Sequence, residues 1–120
     1  MKTIIILMLL AGIANAADLT QAKQTYESKC LKCHGATGEG DGKSAKKLDT
    51  NPGSFADPKT WTDKKGLDMS PEERMFKAIK SGGDSVKETK EMDAYGSGTD
   101  ANFTDEQVKD MVEYLKTFRK

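Results

Sequence analysis

Histidine and cysteine are almost absent from this 120-residue chain, which has one histidine, His34, and two cysteines, Cys30 and Cys33. That scarcity narrows the chemistry at once. Structural zinc takes four ligands from Cys, His or carboxylate, and no second Cys/His cluster exists to complete such a set. A dithiol oxidoreductase of thioredoxin type belongs in a βαβ setting, and beyond residue 16 no run of β-branched residues is present to make strands. Large apolar residues are scarce as well. Residues 17–120 hold five Leu, one Ile, three Val and four Phe, 13 of 104, below the ~20% under which chains tend towards disorder. Disorder also calls for high net charge, and here 18 basic residues face 19 acidic ones. A chain so poor in core residues needs a staple or a metal. No long hydrophobic run is present either: the stretch from Ile4 to Ile13 falls far short of the ~20 residues that span a bilayer.

What is present begins at the N-terminus. Lys2, the apolar run Ile4–Ile13 and the small-x-small site Ala14-Asn15-Ala16 follow the three-part layout of a secretory signal peptide. Residues 1–16 are therefore expected to be removed by a cut between Ala16 and Ala17, leaving one domain over 17–120 in the periplasm. No cysteine directly follows the apolar run, which argues against a lipoprotein. An oxidising compartment would turn an unligated C-x-x-C into a disulfide, so the residue beside the pair matters. That residue is His34.

Cys30-Leu31-Lys32-Cys33-His34 is the C-x-x-C-H pattern of covalent c-type haem attachment. Two cysteines at this spacing lie on one face of a helical turn, where both thiols can reach the vinyl groups of one porphyrin. The histidine that follows is tethered where its imidazole can ligate the iron. A covalently held macrocycle, haem c, would also supply the missing core. A redox dithiol, a structural disulfide and half of a zinc site are the competing readings of the pair.

Three helices carry recognisable ends. The first is expected from about Leu19 to Cys33, with Asp18 as N-cap, Gln21 at the capping-box position, and an inward stripe of Ala22, Tyr26, Cys30 and Cys33. The second opens at Ser70-Pro71-Glu72-Glu73, buries Met75, Phe76 and Ile79, and stops at Ser81-Gly82-Gly83. The last begins at Thr104 with Gln107 closing the box and Phe103 placed to staple against Val108; Val108, Met111, Val112, Leu115 and Phe118 form its stripe.

Between His34 and Ser70 runs a long segment rich in Gly, Lys, Asp and Pro. A structureless stretch of that length counts against a compact domain unless it wraps something, and Leu48, Pro52, Phe55 and Trp61 are its apolar contacts. Gly35, Gly38, Gly40 and Gly42 allow tight turns. A phosphate-binding loop is excluded because the run lacks the G-K-[ST] ending and a preceding strand. Lys43, Lys46, Lys47, Lys59, Lys64 and Lys65 form either a solvated face or a ring around the cofactor edge that meets an acidic partner.

With the only histidine spent, a second axial ligand falls to a thioether. Met69, Met75, Met92 and Met111 remain in residues 17–120. Met75 and Met111 sit on helical stripes where packing accounts for them. Met92, in the irregular stretch Lys90-Glu91-Met92-Asp93-Ala94-Tyr95-Gly96, is the first choice, with Met69 at a helix entrance as the main alternative and an open or lysine-ligated iron as the remaining one.

Over residues 18–120 the chain resembles the class I c-type cytochromes, on the strength of Cys30–Gly35, the Gly38-Glu39-Gly40-Asp41-Gly42 run, Met92-x-Ala94-Tyr95 and the terminal amphipathic helix. The run of glycines is most similar to that of short bacterial cytochromes and the haem domains of cbb3-type oxidases. The resemblance implies an all-α cytochrome c fold of three to four helices around one haem. Its first and last helices would cross near right angles, with Tyr26 and Tyr114 meeting at the crossing beside Ala22. It differs from the family where Asp93 replaces the proline that commonly follows the ligand methionine.

The function expected is electron transport rather than catalysis: a soluble monohaem carrier cycling Fe(II)/Fe(III), with Cys30 and Cys33 as thioethers and His34 and Met92 as axial ligands. Pro52 is the expected carbonyl acceptor for the other ring N–H of His34. Partners would be redox proteins docking transiently on a monomer, with no nucleic acid and no membrane span. The alternative is an open-site haem enzyme or gas sensor taking peroxide, nitric oxide or carbon monoxide.

Overall fold

The computed structural model describes residues 19–120; the expected signal segment and the Asp18 cap lie outside them. Among the described residues the chain is helical, with α1 (Leu19–Lys29), α2 (Leu31–His34), α3 (Pro71–Ser81) and α4 (Asp105–Lys116), plus single 3-10 turns at Ala45–Lys47, Pro58–Trp61 and Gly83–Val86. No strand occurs among them, and no helix is long and apolar enough to cross a membrane.

The expected first helix is two helices. Cys30, at φ −112° and ψ −34°, separates α1 from α2. The chain stays wound across it, because Cys30 N–H donates to the Tyr26 carbonyl at 2.9 Å. The Cys30 carbonyl then accepts from both Cys33 N–H at 3.2 Å and His34 N–H at 2.9 Å. Such a shared acceptor marks a turn tightened towards 3-10 geometry, so the break re-aims the cysteine-histidine turn without unwinding it.

The capping boxes of α3 and α4 form in full. Ser70 Oγ accepts from Glu73 N–H at 3.1 Å while the Glu73 carboxylate accepts from Ser70 N–H at 2.9 Å. Thr104 and Gln107 repeat the arrangement at 3.1 and 2.9 Å. Each satisfies two of the N–H groups that a helix start leaves unpaired. Pro71 opens α3, and Gly82, at φ +89°, closes it.

These helices share one core, made by Tyr26, Trp61, Met75, Ile79, Phe103, Val108, Met111, Val112 and Leu115. α4 lies between α1 and α3 and packs on both. At the α1–α4 contact the Tyr26 and Tyr114 rings meet edge to face with centroids 5.4 Å apart, and Phe118 joins them 5.1 Å from Tyr26. Ala22 is buried beside them. Phe118 lies just beyond the end of α4 and is half-buried, so the helix stripe ends at Leu115.

Candidate haem site

The short helix α2 and its N-cap Cys30 place Cys30, Cys33 and His34 along one wall of a cavity of about 540 Å³, within the range of pockets that enclose a small-molecule cofactor. Met75, Ala78 and Ile79 of α3 and Leu115 of α4 form an apolar part of that wall. Leu48, Pro52 and Phe55 come from the long loop, and Met92 and Tyr95 from the segment before α4. Four residues that the sequence singles out, 62 positions apart at the extremes, thus face one space.

The glycine run has a definite task here. α2 ends with unpaired carbonyls, and alternate N–H groups of the run meet them: Gly40 to His34 at 2.8 Å, Gly42 to Cys33 at 3.2 Å, Ser44 to Lys32 at 2.8 Å. A Cβ at Gly42 would stand 2.3 Å from the Lys32 carbonyl oxygen, so only glycine lets the backbone approach this closely. From α1, the buried Tyr26 hydroxyl donates to the Gly35 carbonyl at 2.6 Å; burial first, then nearby acidic groups, raises its pKa well above the ordinary tyrosine value. The position of His34 is therefore set from both sides.

His34 itself stacks on Phe55, with centroids 4.9 Å apart and planes 25° from parallel. Phe55 is fixed in turn by its own N–H to the Gly38 carbonyl at 2.7 Å and by Trp61 Nε1 donating to its carbonyl at 2.8 Å. Trp61 thus supports the loop from the core and does not line the cavity, contrary to the expectation that it would touch the cofactor. The Pro52 carbonyl does not take a His34 N–H either: Nδ1 is buried without a hydrogen-bond partner. The ring is held by stacking, and Pro52 lines the cavity beside it.

Burial alone pushes the His34 imidazole down to about 4, so at neutral pH it is uncharged, the form that ligates metal. Burial likewise pushes the Cys30 thiol up to about 11, against the nucleophilic thiolate that a redox dithiol requires. An uncharged imidazole with an orphaned nitrogen, two thiols and a thioether around an apolar space fit a haem bound through sulfur and nitrogen. They do not fit a hard cation, which takes oxygen ligands.

A family model described as cytochrome c matches residues 19–119. The chain belongs to the cytochrome c family. As a cytochrome c it carries one covalently attached haem and serves electron transfer, and its family typically moves electrons rather than remaking bonds in a substrate. The structure is similar to that of the KustC0563 c-type cytochrome, with a TM-score of 0.58 at 23% identity, covering 82% of this chain and 98% of the other. At that identity the likeness speaks for the fold. No curated protein matches the sequence.

Among the methionines, Met92 and Met75 line the cavity of this cytochrome, while Met111 is buried in the core and Met69 is not among the lining residues. Of the six lysines weighed as a ring around the cofactor, only Lys65 reaches the cavity; Lys29 and Lys32 stand there instead, with Glu88, Glu91 and Asp93. Arg74 is among the lining residues that the sequence did not single out. Arg74 is 5% exposed, its guanidinium donates to the Glu88 carboxylate and, at 3.3 Å, to the Thr60 carbonyl, and its Nε has no partner. Its spacing of three from Pro71 and four from Ala78 puts it on the buried stripe of α3, a signal that its charge obscured.

Proposed function

We propose that this cytochrome c is a soluble periplasmic carrier whose haem is bound by thioethers from Cys30 and Cys33, with His34 and Met92 as axial ligands. The observation that carries this reading is the convergence of these four side chains on one cavity. When bound, haem iron supplies one-electron cycling between Fe(II) and Fe(III), with no bond made in a substrate. The chain does the rest. Phe55 and the α2 turn orient His34, and the walls from α3 and α4 exclude water, which penalises the added charge of the ferric state. Met92 contributes a neutral sulfur that favours the ferrous state.

Met92 is preferred over Met75 on the character of their positions. Met75 sits inside α3 and belongs to the packed core, whereas Met92 is half-buried on an irregular segment whose backbone can present its sulfur. Two strong axial ligands would leave no coordination position for a substrate, which separates a carrier from an enzyme or gas sensor. Export is supported by the layout of residues 2–16. The cavity is flanked by charges of both signs, Lys29, Lys32 and Lys65 with Glu88, Glu91 and Asp93. That mixture suits small, polar, short-lived contacts with redox proteins.

Axial-ligand variants test this directly. Wild-type oxidised protein should show the weak sulfur-to-iron charge-transfer band, and reduced protein should bind carbon monoxide poorly. Met92→Ala should abolish the band, open the iron and lower the potential within the ~0.8 V span that axial ligands control. Met75→Ala and Met69→Ala should keep the band. A wild-type protein that lacks it and binds carbon monoxide avidly would overturn the carrier in favour of the open-site reading.

A further inference from the structure

The segment that bears Met92 is secured on its inner side by the end of α3. Gly83 N–H donates to the Met92 carbonyl at 3.0 Å, Tyr95 N–H to the Ile79 carbonyl at 2.9 Å and Gly96 N–H to the Lys80 carbonyl at 3.0 Å. The residue after Met92 is Asp93, which leaves φ free where a proline would fix it, so this loop depends on hydrogen bonds for its shape. Its outer side is secured by one carboxylate. Glu91 Oε1 accepts from Asp49 N–H at 2.9 Å and Oε2 from Thr50 N–H at 3.2 Å. Thr89 holds the carboxylate in place: its Oγ1 donates to Glu91 Oε2 at 3.3 Å and accepts from Glu91 N–H at 3.1 Å.

The two N–H groups that Glu91 takes lie 42 and 41 positions earlier in the chain. They belong to the stretch running through Thr50 and Pro52 to Phe55, the ring stacked on His34. Glu91 therefore joins the segment behind His34 to the segment carrying Met92, and Thr50, Thr89 and Glu91 all line the cavity between them. A carboxylate receiving two consecutive backbone N–H groups makes charge-assisted bonds with a defined direction.

We propose that Glu91 is a positioning residue: it straps the Met92 segment to the 48–55 segment and so holds the Met92 sulfur in its ligating position. This rests on the assignment of Met92 as axial ligand. The strap sets the fraction of molecules in which the Met92 segment is closed. Since an external ligand enters only the open fraction, loss of the strap should be read as faster access to the iron.

The experiment uses the haem-loaded protein with Glu91→Ala, Glu91→Gln and, as a control for charge alone, Glu106→Ala on the exposed first turn of α4. Amide hydrogen exchange is followed at Asp49 and Thr50, together with the charge-transfer band and the rate of carbon monoxide binding to reduced protein. Glu91→Ala should speed exchange at both amides, weaken the band and raise the carbon monoxide rate by roughly three- to tenfold. Glu91→Gln, which keeps an acceptor oxygen, should restore much of the band, and Glu106→Ala should match wild type. A band and a carbon monoxide rate unchanged in Glu91→Ala would overturn the strap while leaving Met92 as ligand. Equal effects from Glu106→Ala would overturn it in favour of long-range charge. A wild-type protein with no band would overturn the ligand assignment and the strap together, and would do so before any Glu91 variant is compared.

Discussion

Gly83 measures how little room the Met92 segment has. A Cβ there would stand 2.4 Å from the Thr89 carbonyl oxygen and 3.3 Å from the Met92 Cβ. The first of these is backbone and has no rotamer in which to retreat. Gly83→Ala should therefore push the 89–92 stretch outward, at a cost of about 1–3 kcal/mol, and weaken the sulfur-to-iron band in the same variant. Thermal unfolding and the optical spectrum check the two halves; an alanine variant with wild-type values for both would show that the stretch is freer than its packing implies. At this scale the sequence was most legible where the chemistry is contiguous. Cys30, Cys33 and His34 are adjacent, and their residue types alone specify what they can bind. Met92 emerged by elimination among four methionines. The stacking of Phe55 on His34, the Tyr26 bond to Gly35 and the bonds of Glu91 to Asp49 and Thr50 join residues from separate elements, and no local pattern announces them.

Helix ends were legible because a capping box is a local device. Ser70 with Glu73 and Thr104 with Gln107 form as their spacing requires, and the N-terminus of each helix follows from the box alone. Thr104→Ala removes the acceptor for Gln107 N–H and should cost about 1 kcal/mol. The change should appear as a lower urea midpoint with an unaltered slope; an unaltered midpoint would mean that tertiary packing, not the cap, sets the start of α4. The first helix was legible in its face but not in its continuity. Ala22 and Tyr26 are buried as the stripe demands, yet the same spacing extends smoothly to Cys33 and gives no hint of the break at Cys30. That break serves the carbonyls of Lys32, Cys33 and His34, which meet the N–H groups of Ser44, Gly42 and Gly40. The partners come from a loop whose path no periodicity describes.

For the molecule as a whole, one set of residues serves as both core and cavity wall. Met75, Ile79 and Leu115 belong to the packed cluster and also line the cavity. With 13 large aliphatic and Phe residues in 104, the polypeptide has little else to offset the entropy of ordering the chain. The sequence therefore led to the expectation that a cofactor completes the fold, while the shape of the space depends also on the path of the 35–69 loop, which no local pattern describes. Replacing Cys30 and Cys33 together with alanine should leave a mostly unfolded chain; a cooperative thermal transition in that variant would mean the polypeptide core suffices alone. The central claim, that these two cysteines hold one haem, is tested most directly by intact mass under denaturing conditions, on protein from cells with working cytochrome maturation. The mass should equal residues 17–120 plus one haem, because thioether bonds survive when axial bonds are lost. A haem-free mass with a Cys30–Cys33 disulfide would contradict it.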